Sequence, residues 1–270
     1  MHRRLVCAAL AALVVSACST PTQSEHPEPT QTPEPLPTRG EPTSLEVGVT
    51  QGENGAIPPW WNGTHLQAEI PGDVEEEDIY RSEVFWDLPS GEEVRLQEGD
   101  WLSCDLVVSP HLGDATSDQG QWQVLWQLHG PSTGGEWRPP PVNLHVRADT
   151  WRIGGGAGRE DGEESYAEPF VPYVDDRRVH WRIDVLVSED PDRARVDAWL
   201  DGTKVVDAWS PPSGTRYPDH DYLALKSGLY AGTTGGASPA TDRRYTTSEP
   251  LSCSFVTADG SAPAEESPAG

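Results

Sequence analysis

An all-β fold, two sheets packed as a β-jelly-roll sandwich, is what this sequence predicts, and three observations predict it. Apolar and polar residues alternate in short runs from Asp100 onward. Gly, Pro and Asp punctuate those runs. No segment carries an apolar stripe three helical turns long. The 26 Gly and 26 Pro leave little room for long helices, and many short strands with frequent turns are the signature of sandwiches and jelly rolls.

The clearest strand-like runs are 102–109, 121–129, 142–148, 179–188, 193–200, 203–209, 222–230 and 251–257. Asp201-Gly202 joins two of them and is a favoured hairpin dipeptide. Side chains alternate between the two faces of a strand. In 121–129 that rule groups Trp122, Val124, Trp126 and Leu128 against Gln123, Leu125, Gln127 and His129. In 142–148 it sets Val142, Leu144 and Val146 against Asn143, His145 and Arg147. In 222–230 it sets Leu223, Leu225 and Leu229 against Tyr222, Lys226 and Tyr230. One face of each run is a core set. The other carries amide, imidazole, guanidinium, ammonium and phenol groups, which suits a binding cleft better than an ordinary solvated face.

The ends of the chain are a different material. Arg3 and Arg4 precede a short apolar stretch, and Val15-Ser16-Ala17-Cys18 follows. Small residues before a cysteine at that distance mark a lipoprotein signal over 1–18, with Cys18 lipidated and the protein tethered outside a bacterial membrane. Residues 19–45 are rich in Pro, Thr and Glu and read as a disordered tether, as does the tail 258–270. The domain is 46–257, a fitting size for one all-β unit.

Cys104 and Cys253 are the only cysteines inside that domain, each within a strand-like run. In an oxidising compartment they are expected to be bonded; two separate buried thiols are the alternative. The formal charge is −25, which excludes nucleic acid as a partner and opposes anionic ligands unless a local basic patch overcomes the field. Lysine is nearly absent, with only Lys204 and Lys226. The His residues are scattered without metal-ligand spacing. No metal or cofactor is expected, although loop carboxylates leave a structural Ca²⁺ open.

Three segments carry the chemistry: Tyr80-Arg81-Ser82-Glu83-Val84, Trp126-Gln127-Leu128-His129, and Tyr222 to Tyr230 with Lys226 and Gly228 between. In order and rough spacing they resemble three strand signatures of the jelly-roll polysaccharide lyases. That concanavalin A-like superfamily includes alginate lyases and heparin lyase I-like enzymes. The resemblance spans about 46–257. It implies a monomeric extracellular lyase that cleaves a uronate polysaccharide by β-elimination, on glucuronan, alginate-like or heparin-like chains. It further implies that Arg81, Gln127 and His129 neutralise the substrate carboxylate and that Tyr230 is the proton shuttle, with His129 or Tyr230 taking the C5 proton according to the stereochemistry of the sugar. Glu83, Asn143, His145, Arg147, Tyr222 and Lys226 would contact the sugars. One departure bears on the subclass: many alginate lyases place Gln shortly after the final Tyr, where this chain has Ala231-Gly232.

These residue types suit the reaction. The proton at C5 of a uronate is not acidic while its carboxylate is ionised, so a site must neutralise that group and stabilise the enolate-like charge. Each residue also has a structural reading: Arg81 and Glu83 as an ion pair along one strand, Gln127 as a loop cap, His129 as a loop histidine. A glycoside hydrolase needs two flanking carboxylates, and no Glu-x-Asp-x-x-Glu strand motif is present. The rival is a non-catalytic glycan-binding protein, in which Trp60, Trp61, Trp86 and Trp137 stack on sugars.

Overall fold

The computed structural model describes residues 41–62, 65–72, 79–113, 121–131, 139–155, 165–233, 242–247 and 251–259. Cys18, the tether up to residue 40, the acidic run 73–78 and Trp137 lie outside the described residues.

Seventeen strands form two antiparallel sheets, and no helix occurs among the described residues. The strands of sheet A are β1 (Thr43–Ser44), β3 (Ile57–Trp61), β4 (Leu66–Ile70), β6 (Trp101–His111), β12 (Val179–Leu186), β13 (Arg195–Leu200), β14 (Thr203–Trp209), β16 (Arg243–Thr247) and β17 (Ser252–Val256). Its path runs β14-β13-β12-β6-β16-β4-β3, with β17 also on β6 and β1 on β17. Sheet B comprises β2 (Glu46–Glu53), β5 (Ile79–Asp87), β7 (Gln121–His129), β8 (Val142–Arg147), β9 (Thr150–Gly155), β10 (Ser165–Tyr166), β11 (Val171–Pro172) and β15 (Ala224–Thr233). Its path is β10-β9-β8-β7-β15-β5-β2, with β11 on β9.

The apolar face of each sheet packs against the other. Sheet A contributes Leu102, Leu106, Trp181, Ile183 and Val196, and sheet B contributes Val84, Trp86, Trp126, Leu225 and Leu229. Trp86, Trp126 and Trp181 are fully buried, so truncating any one of them to Ala is expected to cost about 3–5 kcal/mol. Cys104 and Cys253 are register partners on β6 and β17, and a disulfide joins them. The expected hairpin forms, with Asp201 and Gly202 at positive φ. β1 falls inside the stretch read as tether and pairs with β17, tying the entry and exit of the domain together.

One parity expectation fails. Opposite Gly228 and Leu229 of β15, strand β7 supplies only Leu125, and β8 also skips that residue. This bulge puts Leu125 and Trp126 both into the core and inverts every residue before them. Trp122 and Val124 therefore lie on the polar face, with Val124 opposite Tyr230 and His145. Gln123 instead turns inward, fully buried. Gly228 makes the bulge feasible: it sits at φ +136, and a Cβ there would lie 2.3 Å from the Ser82 carbonyl oxygen.

Candidate active site

Four neighbouring strands of sheet B place the three motifs on the face turned away from the core. The β5–β15 register sets Arg81 opposite Tyr230, Glu83 opposite Gly228 and Phe85 opposite Lys226. The β15–β7 register sets Lys226 opposite Gln127 and Ala224 opposite His129. Strand β8 continues the row with Asn143 opposite Gln127. Cross-strand partners share a face, so Arg81, Glu83, Gln127, His129, Asn143, His145, Lys226 and Tyr230 are on one surface. Most are nevertheless buried: Glu83 and Gln127 are 1% exposed, Asn143 is fully enclosed, and Lys226 is 9% exposed.

The ion pair along β5 does not form. Arg81 binds Glu53 at 3.0 Å, and Glu83 instead accepts the Gln127 amide N–H at 2.5 Å. Burial pushes the Glu83 carboxyl above its ordinary range, against the opposing pull of Lys226. Burial likewise lowers the Lys226 ammonium, which lies 4.4 Å from the Phe85 ring centroid and has no carboxylate partner among the described residues. Gln127 is thus not a loop cap. Its N–H is spent on Glu83 and its Oε1 faces the site without a partner. The donors left for a carboxylate are Arg81, Lys226 and the Asn143 amide.

His129 closes the end of β7. Its Nδ1–H donates to the Gly130 carbonyl at 2.5 Å; a carbonyl only accepts, so Nε2 is the bare nitrogen. Burial, then Lys226, lower this imidazole to about 4. It is a neutral acceptor, not a cation that grips a carboxylate, and that revises the expected role.

Tyr230 points onto the polar face and is 3% exposed. The Arg81 guanidinium lies 4.7 Å from its ring centroid, and Trp122 packs edge-on at 4.7 Å. Its ring contacts are Arg81 and Trp122, not His129. The register puts His129 five residues along β7 from Val124, which faces Tyr230, about 16 Å of strand at ~3.3 Å per residue. Imidazole and phenol are apart because the bulge and register put the two groups at opposite ends of the Gln127–Lys226 row.

Tyr222 precedes β15 rather than lying in it. It leans toward Glu93 at 3.5 Å and under Arg95 at 4.8 Å, apart from the buried cluster. Arg147 shares the face but stands at the strand end, part-buried. Of the tryptophans expected to stack on sugars, Trp86 is core and donates to Ser227 at 3.0 Å, and Trp61 packs on the core. Trp60 is exposed, on the other sheet. One residue with no sequence signal of its own joins the site, Trp122, hidden by the bulge; Arg152, on a strand the alternation did not reveal, lies on the same face two strands beyond β7. One group of metal-type side chains lies elsewhere among the described residues, His111 with Asp175 and Asp176. Asp175 there is already engaged by the Leu112 N–H and the Tyr173 hydroxyl.

The arrangement defines a sandwich protein with a carbohydrate-type site: buried amides, imidazoles and cations on one sheet, several with atoms left over. The Polysaccharide lyase family model matches residues 22–247, and the chain belongs to that family. It is a lyase, which decides against the binding-only alternative. No curated protein matches the chain. Among solved structures, it is similar to the family 7 alginate lyase A1-II′ in complex with substrate (13% identity, 79% of this chain and 93% of that one, TM-score 0.52). It is also similar to the marine alginate lyase AlyA1 from Zobellia galactanivorans (13% identity, 78% and 94% covered, TM-score 0.52). At such identities the likeness concerns the sandwich fold alone.

Proposed function

We propose that the protein cleaves a uronate-containing polysaccharide by β-elimination on the polar face of sheet B, outside the cell, anchored through Cys18. The observation that carries this reading is a set of buried polar atoms with no partner among the described residues, all on one face: Glu83 Oε2, Gln127 Oε1, Asn143 Nδ2, His145 Nε2 and Arg81 Nε. Buried polar groups are nearly always satisfied, so such a concentration marks a ligand's place. It mixes donors with acceptors, as a hydroxylated and carboxylated ring requires.

In this reading Arg81 and Lys226 hold the carboxylate and offset the charge that builds on it as C5 loses its proton. Tyr230, with Arg81 against its ring, takes that proton and returns one to the departing O4 oxygen. A cation beside the phenol favours negative charge on its oxygen during the transfer. Gln127 Oε1 and His129 Nε2 accept hydroxyls of the bound sugars. The alginate-binding neighbours support a uronate substrate by fold analogy.

The test is an ultraviolet absorbance screen of the purified protein against glucuronan, alginate and heparin-like polymers. Unsaturated product is expected from at least one polymer and not from Tyr230→Phe. Reducing ends without that absorbance would mean hydrolysis. A Tyr230→Phe variant as active as the parent, with Tyr222→Phe inactive, would move the proton transfer to the other end of β15. For the anchor, lipid label incorporated by the parent and not by Cys18→Ser is the expected outcome.

A further inference from the structure

The polar face extends past Gln127 onto β8 and β9. There Arg152 stands directly opposite His145. Its guanidinium carbon lies 4.4 Å from the Phe170 ring centroid and 5.3 Å from that of Tyr166, and its Nε donates to Thr150 at 3.0 Å. The aromatic rings and the threonine fix its position without neutralising it. No carboxylate pairs with it among the described residues, in a chain with 44 acidic and 19 basic residues.

His145, 2% exposed, gives its Nδ1–H to Asn143 Oδ1 at 2.6 Å. That leaves Nε2 as a bare acceptor and the Asn143 Nδ2 as a donor to spare, and neither has a partner among the described residues. Tyr166 packs edge-on to the imidazole at 5.3 Å and fixes its plane. Two enclosed polar atoms of opposite sense beside an unpaired guanidinium are costly to maintain in an empty fold. Together they match a ring that bears both a carboxylate and hydroxyls.

We propose that Arg152, Asn143 and His145 form a second uronate-binding subsite, distinct from the place where the chain is cut. Arg152 takes the carboxylate, Asn143 donates to a sugar oxygen, and His145 Nε2 accepts a hydroxyl. The inference rests on the uronate-lyase reading and refines it. Four strand spacings separate β5 from β9, about 19 Å at ~4.8 Å each. A glycan laid across the strands therefore reaches Arg152 only several sugars from Arg81. The subsite reads chain length as well as charge.

The experiment compares the parent with Arg152→Gln on uronate oligosaccharides of two lengths, a trisaccharide and an octasaccharide. KM for the octasaccharide is expected to rise about tenfold with kcat unchanged, the scale of one charge-assisted hydrogen bond, and KM for the trisaccharide to stay put. No change at either length overturns the subsite. Equal losses at both lengths also overturn it, because they place Arg152 at the cut or in the fold. Calorimetric binding of the octasaccharide reads the subsite independently of cleavage. Tenfold weaker binding to Arg152→Gln by a protein that cleaves no polymer keeps the subsite and sinks the lyase chemistry. Unchanged binding by an active enzyme does the reverse. A carboxyl-reduced octasaccharide should bind both proteins alike.

Discussion

The two outward faces of this sandwich obey the same alternation and end in opposite electrostatics. On sheet A the charges cancel locally. Arg182 chelates Asp184 at 3.1 and 3.2 Å, Arg195 binds Asp197 at 2.6 Å, and Lys204 reaches Asp197 at 2.8 Å. Burial works against the Asp197 charge, yet its bonds to Arg195 and Lys204 hold it at about 2. On sheet B, Arg81 pairs with Glu53 at 3.0 Å, but Lys226 and Arg152 have no salt-bridge partner among the described residues, and burial pushes Glu83 toward its neutral form. A cation that only stabilises a fold finds a carboxylate. Lys226 and Arg152, left without a carboxylate in so acidic a chain, are where we propose that an anion from outside binds.

The sharpest way to break that contrast is to substitute on the sheet B face. Removing the Tyr230 hydroxyl with Tyr230→Phe should lower kcat by about a thousandfold or more, within the range of a lost proton-transfer group. The fold should be little affected, because Trp122 packs on the ring and the substitution removes only the hydroxyl's hydrogen bond with Arg81. Rates of unsaturated-product formation and thermal melting, measured side by side, check both halves. A variant with parental kcat would return sheet B's face to a binding role.

On sheet A the largest effect is on stability. Cys104–Cys253 closes a loop of sequence separation 149, and replacing both residues by Ser should cost about 2–5 kcal/mol. The drop is read from denaturant midpoints. At temperatures where the variant stays folded its kcat should match the parent's, since β6 and β17 contribute nothing to the polar face. A loss of kcat in the folded variant would show that the two sheets are not so cleanly divided.

A smaller effect follows from the enclosed imidazoles of sheet B. Burial lowers His145 to about 3, and burial with Lys226 lowers His129 to about 4, from 6.5 in an unfolded chain. Above pH 6.5 neither state binds the protons. Below it the unfolded chain takes protons that the fold refuses, so stability falls as pH drops, until about 4 for His129 and about 3 for His145. Each contributes about 1.4 kcal/mol per pH unit within its window. Urea unfolding from pH 6 to 4 should show a shallower slope in His145→Gln than in the parent. Identical slopes would mean that His145 is hydrated.

Much of this was legible because the chain is consistent along its strands. Asn143-Leu144-His145 and Leu225-Lys226 kept the faces that strict alternation assigned, and Asp201-Gly202 made the turn it signals. The failure is equally local. Alternation assumes one residue opposite one residue, and β7 breaks that at Leu125, where two residues of β15 face one. Trp122 and Gln123 then exchange sides, and the hint was Gly228 in the middle of the facing strand. Lateral register was not legible at all, so the distance between His129 and Tyr230 had no sequence signal. Arg152 was missed for a simpler reason: Trp151 and Ile153 flank it on the core side, but a six-residue strand ending in two glycines was too short to stand out.

The smallest expected effect on binding sharpens the comparison from the sheet A side. Arg182 sits on the outer face with its fork on Asp184 and its guanidinium carbon 5.3 Å from the Trp199 ring centroid. A groove lined by His180, Arg182, Asp184 and Trp199 lies there, and its indole is of the kind that stacks on sugars. The charge pattern argues against that, because Arg182 is already neutralised. Asp184 is buried and keeps the Ser103 hydroxyl when the guanidinium is removed, so Arg182→Gln should cost about 1–3 kcal/mol of stability and leave octasaccharide binding unchanged. Arg152→Gln, the same substitution on the opposite face, should weaken that binding about tenfold. If the two variants lose affinity equally, local charge pairing does not separate structural from functional cations in this protein.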